Sequence, residues 1–431
     1  MAKLLIKNST LISMDKTREK VEENIDILIN DEIIEKIEKN IDVTCYDDVY
    51  IIDATGKIVC PAFVNTHTHL PMSLFKDTCD TYALQDWLKK VAWPAEAKMS
   101  DFDIYYLTLM SCIEMIKTGT TTVNDLYFMT DSIIDACLVA GINMVQTRTL
   151  MDIDNDGELR FNELESLINK YKNSEQVKFS VGIHGLYTAS KPYVKRAVKL
   201  AQDNNLMLHM HFCENSQEVE DIKNRYNVNT AAEVLDECFR DVHTVLAHCV
   251  NITDLDIEIM KNLDISISHC PISNLKLGSK IARVHDFLKN NIQVTLGTDG
   301  QGSGCNMDMF ELMKITPLLQ KGINESANIL PAYDVLKMAT VSGATALLMN
   351  NRGVIAKQNI ADIIIIDLQN NPVTRPVNDI ISDIVYNACG TNVVTTISNG
   401  KILMENRELK YLNETQIYSK CTEIIERILK H

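Results

Sequence analysis

The sequence predicts an α/β protein, a (β/α)8 TIM barrel with a small β-sandwich domain built from both chain ends. Three observations carry that reading. From about residue 59, short apolar runs alternate with helical stretches, the texture of a parallel sheet with crossover helices. Eight runs can be counted, at 59–65, 120–124, 144–149, 179–184, 207–211, 244–248, 265–269 and 294–298, and eight strands close a barrel. The two ends read differently: β-like runs at 3–6, 25–29 and 49–52, and again at 362–367, 393–397 and 402–404, lie between Asn, Asp and Gly turns. A helical stretch at 332–349 and a final helix at 414–429 complete the chain. The expected division is 1–58 plus 352–431 for the sandwich with its C-terminal helix, and 59–351 for the barrel.

A chain of 431 residues is long for one compact domain and ordinary for a barrel carrying a second small one. Its net charge of −16 and isoelectric point near 5.1 disfavour nucleic acid, since phosphate binding needs a basic patch and no Lys/Arg cluster stands clear of acids. Twelve cysteines without a C-x-x-C pair read as free thiols of a reducing compartment. The N-terminal run is β-like rather than a leader, and no apolar stretch reaches membrane-spanning length. A cytoplasmic protein without a membrane partner is expected. Leu107, Met110 and Ile113 fall at helical spacing and read as barrel-packing surface.

The chemistry lies in the residues that end the strands, because catalytic groups of such barrels sit at the C-terminal strand ends. The first run reads Cys60-Pro-Ala-Phe-Val-Asn-Thr-His67-Thr-His69, and the period of a strand puts both imidazoles on one side. The fifth ends Leu208-His209-Met-His211-Phe-Cys-Glu214, the sixth Leu246-Ala-His248-Cys, the eighth Leu296-Gly-Thr-Asp299-Gly. Any one histidine could be a satisfied core residue; the set is not accounted for that way. Three neutral imidazoles and a carboxylate around a zinc ion leave room for water, so the expected nucleophile is a metal-bound hydroxide. Glu214, three residues past His211, is placed to carry a proton. His248 reads equally as a ligand or as a hydrogen-bond partner of the water.

These segments, with Ser268-His-Cys-Pro-Ile-Ser-Asn-Leu-Lys-Leu-Gly, resemble the amidohydrolase superfamily and within it the 5'-methylthioadenosine/S-adenosylhomocysteine deaminases, in order along nearly the whole chain. The resemblance implies zinc-dependent deamination of an adenine nucleoside. It makes His67, His69, His211 and Asp299 the ligands of one Zn2+ or other divalent transition metal, with Glu214, His248 and Asp299 catalytic. Lys178 lies near the start of its strand, which ends at His184, so a carboxylated-lysine binuclear site is not expected. Substrate contacts are implied for Trp87, Glu96, His184 and Ser303, and for Arg148 and Arg160 as a carboxylate clamp, one arginine reaching in from a neighbouring subunit of a homo-oligomer. The loop after Asp299 departs from the family at Gln301 and Cys305, which raises an altered site beside the purine. Lys276 reads as structural. Alternatives are a guanine deaminase, a triazine deaminase or chlorohydrolase and, from another class, a non-catalytic calcium-binding or assembly barrel.

The last alternative has a motif behind it. Asp152, Asp154, Asp156, Gly157 and Glu163 match the acidic positions and glycine of an EF-hand calcium loop. The run before it reads as a strand, so the entering helix is missing. Ca2+ at 152–163 is one expectation and a solvated acidic turn the other.

Overall fold

The computed structural model of the chain describes residues 3–44, 46, 48–369 and 371–430. Eight parallel strands run in sequence order around the barrel: Phe63–Thr68, Thr120–Tyr127, Asn143–Leu150, Val177–Ile183, Met207–Phe212, Thr244–His248, Ile265–His269 and Gln293–Leu296. Helices follow most of them and bury their apolar faces against the sheet, as in Asp101–Thr118 and Lys191–Asn204. Leu107 and Ile113 are buried on the first of these, as their spacing requires. Ser100 and Asp103 form a capping box at its start, and Gly119 ends it in the left-handed conformation at φ +90°. The backbone at Gly119 also runs so close to Ile364 that a Cβ would lie 3.0 Å from that side chain.

The first and eighth strands meet without a regular ladder. A parallel bridge joins Thr68 to Asp299, and the Asp299 amide donates to the His67 carbonyl at 3.0 Å. Below them Asn65 donates to Thr298 Oγ1 at 2.7 Å and accepts from the Thr298 amide at 3.0 Å.

Strands from both chain ends form one nine-stranded mixed sheet with its own apolar cluster of Ile6, Ile27, Ile29, Ile363 and Ile365. The expected first barrel strand is split here. Ile58–Pro61 pairs antiparallel with Ile363–Ile366 in the mixed sheet, and only Phe63–Thr68 enters the barrel. Val59 to Asn65 is apolar on both sides of the switch, so hydropathy gives no sign of it. The expected 332–349 stretch is two helices, Ala332–Met338 and Val341–Ala346, separated at Thr340. Glu414–Leu429 is helical as expected and lies on Asp101–Thr118, with Arg427 paired to Asp103. The described cysteines form no disulfide. Among the described residues no helix is long and apolar enough to cross a membrane.

Where the mixed sheet meets the barrel a buried ion pair joins Arg352 to Asp362; Arg352 also donates to Asn399 at 2.7 Å, Asp362 accepts from the Asn399 amide at 2.8 Å, and Asn143, which starts the third barrel strand, donates to Asp362 at 3.4 Å and accepts from the Asn399 side chain at 2.8 Å. Asp362→Ala leaves that guanidinium buried and unmatched, which should cost about 3–5 kcal/mol. Urea unfolding of the variant measures it, and a loss below about 1 kcal/mol would show that the pair does not hold the two sheets together.

Candidate active site

At the C-terminal end of the barrel His67, His69 and His211 place ring nitrogens within 4.8 Å of one another, and ring nitrogens of His67 and His248 with a carboxylate oxygen of Asp299 lie within the same distance of one another. All five are buried. The tautomer of each ring follows from its other partner. His209 Nδ1 donates to the Val245 carbonyl at 2.9 Å, so its Nε2 accepts the Nδ1–H of His67 at 2.8 Å. His69 donates through Nδ1 to Leu126 O and His211 to His184 O, both at 2.6 Å; His248 donates to Asn274 Oδ1 at 2.9 Å. Each ring thereby turns its Nε2 to the centre, the atom a metal would take once it carries no proton. His67 Nε2 is buried without a hydrogen-bond partner, and the Nε2 atoms of His69 and His211 face each other at 3.3 Å. Two lone pairs at that distance need a proton or a cation between them. This donor set fits a divalent transition metal, which side chains among His67, His69, His211, His248 and Asp299 could hold.

Asp299 is held from several sides. Its Oδ2 accepts from Ser273 at 2.5 Å and Ser303 at 2.9 Å, its Oδ1 from the Gly300 amide at 2.8 Å. His69 Nε2 lies 3.1 Å and His67 Nε2 3.5 Å from Oδ1. Its backbone is left-handed at φ +64°, as is His248 at +73°, the kind of strain that surrounding contacts must hold in place. Gly297 is required by the same approach, since a Cβ there would lie 2.8 Å from that of His67.

Burial dominates the electrostatics. It pushes His67 down to about 3, and holds His211 and His248 below the usual imidazole range. At His69 burial is outweighed by the bond and charge of Asp299, and the ring rises to about 9. Burial, with the charge of Asp299 added, pushes Glu214 up to about 8. Glu214 Oε2 is 3.8 Å from His248 Nε2.

The residues expected to meet substrate are brought together unevenly. His184 ends the fourth strand 5.1 Å from the ring of His211, with Nδ1 on Thr188 Oγ1 at 3.2 Å, and burial lowers it to about 4. Glu96 accepts from Tyr127 at 2.6 Å, and the Tyr127 ring is 6.3 Å from that of His69. Trp87 is buried edge-on to Phe75 and packs on Gly302 in the loop after Asp299. Ser303, implied as a substrate contact, donates to the Asp299 carboxylate at 2.9 Å. Gln301 does not face the site: its side chain donates to Glu114 at 2.6 Å and accepts from Ser111 at 3.2 Å. Cys305 is exposed. Lys276 donates to the Gly302 carbonyl at 2.9 Å, a structural part as expected.

Arg148 and Arg160 lie together, both donating to the Thr149 carbonyl, at 3.0 and 3.3 Å. Each has a counterion in its own chain. Glu163 takes Arg148 through two nitrogens at 2.7 and 2.5 Å, and Asp156 takes Arg160 at 2.6 Å. Asp152 accepts from the Ser190 amide at 2.9 Å. The acids of the EF-hand pattern are thus arginine partners and a turn acceptor. Among the described residues no metal-capable group includes them.

Four residues were not singled out from the sequence: His209, Asn274, Ser273 and Asp125. Asp125 accepts from the Leu70 amide at 2.7 Å and from Thr68 at 3.1 Å, fixing the turn that carries His69. Only His209 left a usable signal, its period-two spacing from His211.

The model of the amidohydrolase family matches residues 58–403. The chain belongs to that family. It is similar to the 5-methylthioadenosine/S-adenosylhomocysteine deaminase of Caldanaerobacter subterraneus subsp. tengcongensis, 37% identical and covering 99% of each chain. It is 40% identical to the 5'-deoxyadenosine deaminase of Methanosphaera stadtmanae over 95% of this chain and 92% of that one. Among solved structures, an adenosine deaminase from Xanthomonas campestris with bound zinc matches with a TM-score of 0.94 and 25% identity, covering 100% of this chain and 99% of that one.

A metal binding here displaces the proton that His69 shares with Asp299. Because His69 is raised, its contribution to the stability of the metal-free chain is complete below pH 6.5 and lost as pH rises through about 9. Metal affinity should therefore rise about tenfold per pH unit up to that point, with about one proton released per ion bound. Calorimetric zinc titration in buffers of different ionisation enthalpy reads the proton directly; none released at pH 7.5 would contradict the His69–Asp299 assignment.

Proposed function

We propose that this chain hydrolytically deaminates the adenine ring of adenosine-type nucleosides, among them S-adenosylhomocysteine, 5'-methylthioadenosine, 5'-deoxyadenosine and adenosine, releasing ammonia and the inosyl product. The observation that carries the reading is a buried carboxyl, Glu214, 3.8 Å from His248 beside a cluster of four imidazoles and Asp299, in a chain 37–40% identical to such deaminases. His67, His69, His211 and Asp299 would hold one zinc ion, which would supply Lewis acidity and let water act as a nucleophile at neutral pH. Glu214 holds a proton for the ring nitrogen next to the carbon under attack, and the amino group then leaves as ammonia. His248, fixed by Asn274 with Nε2 toward the centre, and Asp299 take up the proton of the attacking water and pass it to the departing amino group. His184 is assigned to the purine ring, Trp87 and Glu96 to the ribose end. Ser303 supports Asp299. A non-catalytic barrel has no use for four imidazoles held in the ligand tautomer.

Arg148 is fully engaged by Glu163 and Thr149, whereas Arg160 keeps a buried Nε without a partner. Arg160 is therefore the arginine assigned to a substrate carboxylate, in this chain's own site or in that of a second copy.

Zinc-loaded protein mixed with 5'-deoxyadenosine or S-adenosylhomocysteine should show the ultraviolet shift from adenine to hypoxanthine. No shift with any adenosine derivative, and turnover of guanine or a triazine instead, would overturn the reading. Glu214→Gln should keep its metal and lose at least a hundredfold in kcat, on the order of the contribution of a general acid, while His211→Ala should lose both. Arg160→Ala should cost about 1.5–3 kcal/mol in kcat/KM for S-adenosylhomocysteine and leave 5'-deoxyadenosine nearly unchanged. Equal losses on the two substrates would assign Arg160 to folding.

A further inference from the structure

The loop that carries Glu214 is held by its backbone. Among the described residues no hydrogen bond to the Glu214 carboxyl orients it; its nearest charged neighbour is His248 at 3.8 Å. The direction of the side chain is therefore set by the peptide units on either side. Those units are fixed by bonds from outside the loop. Glu218 Oε1 accepts from the Cys213 amide at 3.0 Å and its Oε2 from the Glu214 amide at 2.8 Å. Asn251 donates from its side chain to the Glu214 carbonyl at 3.1 Å, and the amides of Val250 and Asn251 donate to the Cys213 carbonyl at 3.1 and 2.9 Å. Cys213 needs such restraint, because it is a non-glycine residue at φ +53°.

Glu218 sits at the third position of the helix Ser216–Tyr226, whose N-cap is Asn215. An acid there ordinarily reaches back to the amide of the cap residue itself. Asn215 already caps the helix by accepting from the Glu218 amide at 2.9 Å. The Glu218 carboxylate goes one and two residues further, to the amide of Glu214 and the amide before it. Helix capping does not require that reach, and it places a second buried carboxylate next to the first, a cost that needs a return elsewhere.

We propose that Glu218 is the positioning residue for Glu214: its carboxylate, closed on the amides of Cys213 and Glu214, sets the direction in which the proton-carrying carboxyl projects into the site. This rests on the reading of Glu214 as the proton carrier. It predicts that Glu218 acts on the reaction through Glu214 alone.

The test is a double-mutant cycle on the zinc-loaded full chain with 5'-deoxyadenosine. Glu218→Gln is isosteric, yet its amide group turns a donor toward one of the two amides. It should lower kcat at least twentyfold, with KM within threefold and zinc content unchanged. Placed in the Glu214→Gln background it should change the residual rate less than twofold. Should Glu218→Gln not give folded protein, Glu218→Asp, too short to hold both amides, makes the same comparison. The proposal is overturned if kcat of the single variant stays within threefold of the parent. It is overturned equally if the loss is as large in the Glu214→Gln background, or if zinc is lost, since Glu218 then supports the site as a whole. A Glu214→Gln protein that keeps the parent kcat would instead remove the underlying reading of Glu214, an outcome seen in that single variant alone.

Discussion

The seam between the first and last barrel strands is where fold and chemistry are the same interaction. The Asp299 amide donates to the His67 carbonyl, so the bond that brings the sheet round also sets two ligand-bearing residues side by side. From His67 a line of donors crosses the barrel, through His209 to the backbone of Val245 on the sixth strand. The ligand tautomer of His67 is thus determined by a peptide carbonyl two side chains away. The same logic holds for His69 and His211, whose outward nitrogens end on main-chain oxygens of neighbouring strands. A parallel sheet in this register leaves those carbonyls available at its C-terminal rim, and the imidazoles use them.

That dependence explains what could be read from the sequence. Strand-end histidines and Asp299 announce themselves because an apolar run ending in a polar ligand type is unusual, and because four such runs agree. Seven of the eight barrel strands fall on the expected runs. The first does not, because Ile58–Pro61 and Phe63–Thr68 form one continuous apolar text that two sheets share. The residues that orient the ligands were harder. Asn274 and Ser273 lie in a helical turn after strand seven, and nothing local distinguishes an amide or hydroxyl that reaches a metal ligand from one that caps a helix. Ser303 lies near the site and bonds Asp299, a partner that sequence position, which gives proximity and not the direction of a side chain, does not reveal. Gln301 turns to Glu114 for the reason any buried amide does: a carboxylate acceptor is at hand.

The EF-hand-like run shows how a pattern can be met by a different physical need. Two arginines brought together on one carbonyl oxygen repel each other, and both are largely buried. Acids have to stand beside them. Glu163 and Asp156 fill that role, and because they lie on one helical turn and the loop before it, their spacing reproduces that of a calcium loop. The chain's charge of −16 makes such counterions plentiful.

The two carboxylates nearest the centre are driven in opposite directions. At Asp299 burial works against ionisation, but the rings of His67 and His69 overcome it and hold the group well below the usual carboxylate range. At Glu214 burial meets no donor, and the ionised Asp299 adds to it. At rest one is therefore an anion suited to a cation, the other a neutral acid suited to giving a proton away, and the difference comes from partners rather than residue type. The arrangement is self-consistent in one more respect. The ionised Asp299 that raises Glu214 is itself kept ionised by the imidazoles it faces, so the acid at the mouth of the barrel depends on the same seam that closes it.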